Sequence, residues 1–190
     1  MPRKPRVDVA GALQHVVAQG NGGGRIVTDD DDRLSLIAGL ARAAERAEWR
    51  VHAYCLMDIH FHAVIETPAP TLGLGMRRLV GGYAQGYNQR HGRCGHLFAG
   101  PFSASLVESE AYAVEACAYV VLNPVRAGLV LAPEDWRWSS YRPTAGLVAA
   151  PPFLETRLVP AILHPDLKRS QELYRQLVRE TAERPRPGSG

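Results

Sequence analysis

His60 and His62 stand one residue apart in the stretch YCLMDIHFHAVIETP, and Tyr119 stands four residues before Asn123 in AYVVLNPVRAGLV. Two neutral imidazoles side by side suit Mn²⁺, Co²⁺, Zn²⁺ or Fe²⁺, whereas Mg²⁺ prefers oxygen ligands. The amide oxygen of an asparagine can ligate a hard cation, and a tyrosine one helical turn away can reach whatever that cation holds. Together these residues read as a metal site with a tyrosine nucleophile beside it. Alone, the H-x-H spacing is equally compatible with a strand that bears two outward histidines and no metal.

The elements that must position them can be read from pattern. Residues 50–66 are rich in Val, Ile, Phe, Tyr, Cys and Leu, with Met57-Asp58-Ile59 as the turn between two strands. Alternation then puts His60, His62, Val64 and Glu66 on one face and Phe61, Ala63 and Ile65 on the other. Glu108-Ser109-Glu110 opens a helix, with Ser109 as N-cap and Glu110 favourable at the positive end of the dipole. Ala111, Val114, Cys117, Ala118, Val121 and Leu122 recur as its buried stripe, and Asn123-Pro124 is expected to end it. Tyr119 and Asn123 share a face of this helix, with Glu115 one turn earlier.

Upstream, residues 13–19 read as a first strand, followed by a glycine-rich loop at 20–24 that lacks the lysine of a phosphate-binding loop. Asp29 to Asp32 begin a helix buried through Leu36, Ile37, Leu40, Ala43, Ala44 and Ala47; their charge suits a helix N-terminus better than a metal site. A long helix over 72–89 and a strand over 102–107 complete the order β-α-β-β-α-β. The expected fold is therefore α+β, a ferredoxin-like sandwich with an antiparallel sheet, plus a C-terminal helical extension. Residues 1–143 form the expected catalytic domain, and 144–190 a linker and helical tail. In that tail, 144–152 is rich in Ala, Gly and Pro, residues 167–183 form a helix with Leu173, Leu177 and Val178 as its stripe, and 184–190 are expected to be disordered. Trp136, Trp138 and Tyr141 are expected to pack against the domain.

With 190 residues and 46% hydrophobic content, the chain can bury one good core. It has no run of eighteen apolar residues, and no apolar segment follows MPRKPRVDV, so neither a membrane span nor a signal peptide is expected. Three cysteines without a C-x-x-C pair point to a reduced, cytoplasmic setting. The net charge is only +3, but no acidic residue lies between Glu66 and Glu108, where Arg77, Arg78, Arg90, His91, Arg93 and His96 all fall. That stretch is a candidate phosphate-binding surface, joined by Arg126 just past Asn123-Pro124. Tyr83, Tyr87 and Phe98 are interleaved with it, either as stacking platforms for unpaired bases or as packing.

YCLMDIHFHAVIETP, then NQRHGRCGHLFAGPFSASLVESEAYAVEACAYVVLNPVRAGLV and PEDWRWSSYR, resemble in order the REP-associated tyrosine transposases, single-tyrosine HUH endonucleases of bacteria. The resemblance spans residues 2–142 and departs from the common pattern at Ile59 and Gln19. It implies the ferredoxin-like fold, His60, His62 and Asn123 as ligands of Mg²⁺ or Mn²⁺, and Tyr119 as nucleophile. It further implies single-stranded or hairpin DNA as partner, with the protein a monomer or homodimer.

Such chemistry has a physical logic. Phosphoryl transfer from a DNA strand builds charge on the non-bridging and leaving oxygens, which a cation stabilises. In-line attack by tyrosine yields a 5′-phosphotyrosine and a 3′-hydroxyl, and the retained ester lets another 3′-hydroxyl reverse the step without ATP. The phenol must shed its proton to water or a base; Glu115 and Glu66 are in range by spacing, although a solvated or ion-paired role fits either better. Two readings follow: a strand transferase acting on hairpin DNA, or a catalytically inactive, co-opted hairpin-binding protein. An unrelated metal-dependent hydrolase would leave Tyr119 without a role.

Overall fold

The structure is a computed structural model and describes residues 9–100 and 102–183. Strands β1 (Ala12–Gln19), β2 (Arg50–Leu56), β3 (His60–Thr67) and β4 (Ser103–Leu106) form one antiparallel sheet in the order β2-β3-β1-β4. Helix α1 (Asp30–Ala47) follows β1 and α2 (Leu72–Arg90) follows β3, so β-α-β-β-α-β is the observed order, with its first and last strands, β1 and β4, adjacent in the sheet. This is the ferredoxin-like arrangement. Helices α3 (Glu110–Arg126), α4 (Tyr141–Thr144), α5 (Leu158–Leu163) and α6 (Leu167–Glu183) come after it. The expected disorder of residues 184–190 lies outside the described residues.

Because side chains alternate along a strand, the sheet has two distinct faces. Phe61, Ala63 and Ile65 of β3 join Val16 and Ala18 of β1 in a core closed by Leu36 and Leu40 of α1 and Met76, Leu79 and Tyr83 of α2. The opposite face carries Ala53, Cys55 and Val64, which meet Cys117, Val121 and Leu122 of α3. Helix α3, which bears Tyr119, thus covers the side that α1 and α2 leave open. Its N-cap is Ser109, whose hydroxyl accepts from the Tyr112 N–H at 3.2 Å.

Two details of α3 differ from expectation. The buried arc is broader and shifted: Ala113, Ala116 and Val120 are buried, and Ala111 is exposed. The helix also runs through Pro124 to Arg126 instead of stopping at Asn123. Proline cannot donate to the Val120 carbonyl one turn back. The Asn123 side chain substitutes for it, its Nδ2 donating to Tyr119 O at 3.0 Å and Val120 O at 3.3 Å.

Residues on both sides of position 143 share the second core. Tyr141, Ala145, Val159, Tyr174 and Val178 are all buried with α3. Leu154 bridges to Val51 of β2, and the Glu155 N–H donates to Val51 O at 2.8 Å. Tyr174 is 1% exposed and its ring lies 5.9 Å from that of Tyr141. Tyr174→Ala is expected to destabilise the protein by about 3–5 kcal/mol, the range for emptying a buried aromatic site. Urea unfolding followed by circular dichroism measures it, and a loss below about 1 kcal/mol would mean that α6 is not part of the core.

Candidate nucleic-acid processing site

His60 and His62 project from the α3 side of β3, with ring centroids 4.8 Å apart and planes nearly perpendicular. The antiparallel register sets Val17 opposite His62 and His15 opposite Val64, so His15 of β1 lies on this same face. Its Nε2 is 2.9 Å from His62 Nδ1, and the two rings are nearly parallel at 5.2 Å. Helix α3 lays Tyr119 edge-on to both, 5.8 Å from His62 and 5.7 Å from His15 between ring centroids. Tyr119 is 42% exposed, whereas His62 is 6% exposed: the ring that can be a nucleophile reaches solvent and the imidazole beside it does not.

Asn123, one turn beyond Tyr119, has its amide nitrogen committed to the helix carbonyls, and its side chain adjoins His60 closely enough to oppose the lowering of that ring's pKa. The guanidinium of Arg126 lies over the Tyr119 ring, 5.0 Å from its centroid. Tyr119, His60, His62, Asn123 and Arg126 are therefore brought together. His15 joins them unannounced by the sequence, since only the β1–β3 register reveals the neighbour of a lone histidine on another strand.

Burial lowers the pKa of His15 and of His60, although the hydrogen bond to Asn123 works the other way at His60. Burial also pushes His62 down to about 3, with His60 and His15 nearby adding to the effect. All three imidazoles are consequently neutral at neutral pH and retain lone pairs. Two neutral imidazoles with an amide oxygen are a donor set that fits a divalent transition ion, with Mn²⁺ suited better than Mg²⁺.

The remaining expected groups are placed elsewhere. Arg77 and Arg78 are exposed on α2, across the sheet from Tyr119. Arg93, just past α2, lies over the ring of Tyr87 at 5.7 Å. Arg90 is engaged: it forks onto Asp29 at 2.7 and 2.8 Å, and reaches Asp32 at 2.6 Å and Asp31 at 3.2 Å. Tyr83 and Tyr87 are core rather than stacking platforms, their hydroxyls bonded to Ile26 O at 2.5 Å and to the Thr28 hydroxyl at 2.7 Å. Phe98 is buried too. Tyr141 is fully buried, which removes it as a competing nucleophile. Glu66 is paired with Arg50 at 2.8 Å and His52 at 3.1 Å, and Glu115 is solvent-exposed on α3.

A second constellation sits where α1 begins and α2 ends. Asp29, Asp32 and His91 offer ligand atoms within 4.8 Å of one another. Here Arg90 already supplies the cation, and His91 Nε2 contacts Asp32 at 2.9 and 3.0 Å. The Asp29 side chain also caps α1 by accepting from the Asp32 N–H. The acidic run is thus a helix cap clamped to the end of α2.

Two predictions follow from these contacts. Asn123→Ala leaves the Val120 carbonyl without its substitute donor and should lower stability by about 1–2 kcal/mol in the absence of DNA, read from urea unfolding. The second concerns acid. Arg90 holds the Asp29 carboxyl down to about 2; at Asp32, burial opposes ionisation, but hydrogen bonds from His91, the Thr28 N–H and Arg90 outweigh it and lower the pKa. With folded pKa values below the ordinary ~3.9, this stabilisation is present above pH ~4 and lost as pH falls through the folded values. A melting-temperature series from pH 5 to 2 should fall more steeply for the parent than for Arg90→Met. Parallel curves would show that the clamp contributes nothing.

Neither a protein-family model nor a curated protein matches the sequence. Among solved structures, the fold is similar to that of a REP-associated tyrosine transposase bound to a REP hairpin. The TM-score is 0.66 over 82% of this chain and 92% of that chain, at 14% sequence identity. Among the described residues no helix is long and apolar enough to cross a membrane. At that identity, what the two proteins have in common is the fold.

Proposed function

We propose that this protein is a transposase-like DNA strand transferase that binds single-stranded hairpin DNA and cuts and rejoins it through a covalent 5′-phosphotyrosine. The observation that carries the reading is Tyr119 itself: a solvent-reaching phenol set edge-on to the rings of His62 and His15, with Asn123 one turn on. A fold similar to that of a hairpin-bound transposase supports the choice of substrate.

In this reading His60, His62 and Asn123 hold a divalent ion, which would polarise the scissile phosphate and stabilise its developing charge. The Tyr119 oxygen attacks phosphorus in line, forming the phosphotyrosine bond as the bond to the 3′ oxygen breaks. The phenolic proton passes to solvent and the 3′ oxygen gains one, so the step balances without a further reactant. Rejoining is the same exchange in reverse, by a 3′-hydroxyl from another strand. Arg126 would contact the phosphate being cut, a reading supported by its guanidinium lying against the Tyr119 ring. Arg77, Arg78 and Arg93 would neutralise more distant phosphates of a strand that passes around the domain. Arg90, saturated by aspartates, has no part in this binding.

The test is a denaturing gel of the purified protein with labelled hairpin DNA from the host's own repeats, with Mn²⁺ or Mg²⁺. The parent should yield a protein-linked DNA band; Tyr119→Phe should abolish it at unchanged hairpin affinity. His60→Ala should reduce metal-dependent cleavage by roughly 10²–10³-fold, the scale for loss of a transition-state charge stabiliser. A parent that binds hairpins tightly yet forms no band would be the co-opted binding protein instead, and a Tyr119→Phe variant that still forms the adduct would mean another nucleophile.

A further inference from the structure

His15 is the member of the site for which the proposed reaction has no role. It comes from a different strand than His60 and His62, and its ring meets both the buried His62 and the edge of Tyr119. The contact that matters is the 2.9 Å approach of His15 Nε2 to His62 Nδ1. A neutral imidazole has one N–H donor and one lone-pair acceptor, so a single proton lies in that contact and belongs to one ring or the other. With the proton on His62 Nδ1, the His62 Nε2 keeps its lone pair for a cation. With the proton on His15 Nε2, His62 must carry its own proton at Nε2 and has no lone pair left to offer.

We infer that His15 is a positioning residue for His62: its Nε2 accepts the His62 Nδ1–H bond and so holds His62 in the tautomer that can bind metal. The two rings are nearly parallel in this contact, and the antiparallel pairing of β1 with β3, which sets Val17 opposite His62 and His15 opposite Val64, brings them side by side on one face. A ligand histidine whose second nitrogen donates to a protein acceptor is a general way of fixing orientation and raising ligand basicity. The acceptor here is a second imidazole instead of the usual carboxylate or carbonyl, which adds no negative charge beside the phosphate. The inference rests on His60 and His62 being metal ligands.

The experiment uses the full chain without DNA and Mn²⁺ alone as probe, with affinity read from the electron paramagnetic resonance of free Mn²⁺. Long-range ¹H–¹⁵N spectra of the metal-free protein assign the histidine tautomers. The parent should show His62 protonated at Nδ1. His15→Leu, which keeps bulk but has no acceptor, should weaken Mn²⁺ binding about 10–100-fold. His15→Gln, whose side-chain oxygen can accept the same hydrogen bond, should bind Mn²⁺ as the parent does; a packing role alone would not distinguish Gln from Leu in this way. His62 protonated at Nε2 in the parent, parent-like affinity in His15→Leu, or equal loss in both variants would overturn the inference. The parent spectrum decides this even where a variant fails to fold. His60→Ala separates the two levels: if it binds Mn²⁺ as the parent does, the metal reading fails and takes this inference with it. If it loses Mn²⁺ while His15→Leu retains it, only the role of His15 falls.

Discussion

Antiparallel pairing of β3 between β1 and β2 is the constraint on which the rest of the molecule depends. Both edges of β3 are hydrogen-bonded, to β1 over its whole length and to β2 across a bulge between Val51 and Ala53. A one-residue slip on either side would exchange its two faces, moving Phe61, Ala63 and Ile65 out of the α1–α2 core and the histidines into it. Burial of those three apolar side chains fixes the register, and the register in turn fixes where the imidazoles point and which residue of β1 stands beside them.

The helical layer over the histidine face is held from two directions. Cys117, Val121 and Leu122 press α3 onto the sheet, while Tyr174 and Val178 of α6 and Val159 of α5 cover its other side. Tyr119 lies at the margin of this contact, anchored by a buried helix yet still open to solvent. Pro124 would ordinarily weaken the last turn. Asn123 offsets the loss by bonding the Val120 carbonyl that proline leaves without a donor, and the same side chain adjoins His60. One residue thus repairs the helix and borders the site.

Electrostatics divides the arginines by their partners rather than by their position in the sequence. Arg90 is paired with the aspartates at the start of α1, closing the end of α2 against the beginning of α1. Arg126 instead lies on the ring of Tyr119, on the face where burial keeps the histidines uncharged. Neutral imidazoles avoid the repulsion that several protonated rings within about 5–6 Å would suffer, and leave the site able to accept a cation.

By itself the sequence determined the local features: the strand alternation that pairs His60 with His62, the Ser109 cap, the four-residue step from Tyr119 to Asn123, and the element order that implies a ferredoxin-like sheet. Each depends on neighbours within a turn or a pleat, so period and propensity suffice to read it. Only the tertiary structure decided that α3 continues through Pro124, that Tyr83, Tyr87 and Phe98 are core, that Arg90 is consumed by Asp29, Asp31 and Asp32, and that His15 meets His62. Those outcomes rest on contacts between residues about 50 to 60 positions apart, or on a side chain answering a missing backbone donor. A basic stretch, an aromatic spacing or a lone histidine carries no record of the partner that a distant strand or helix will bring to it.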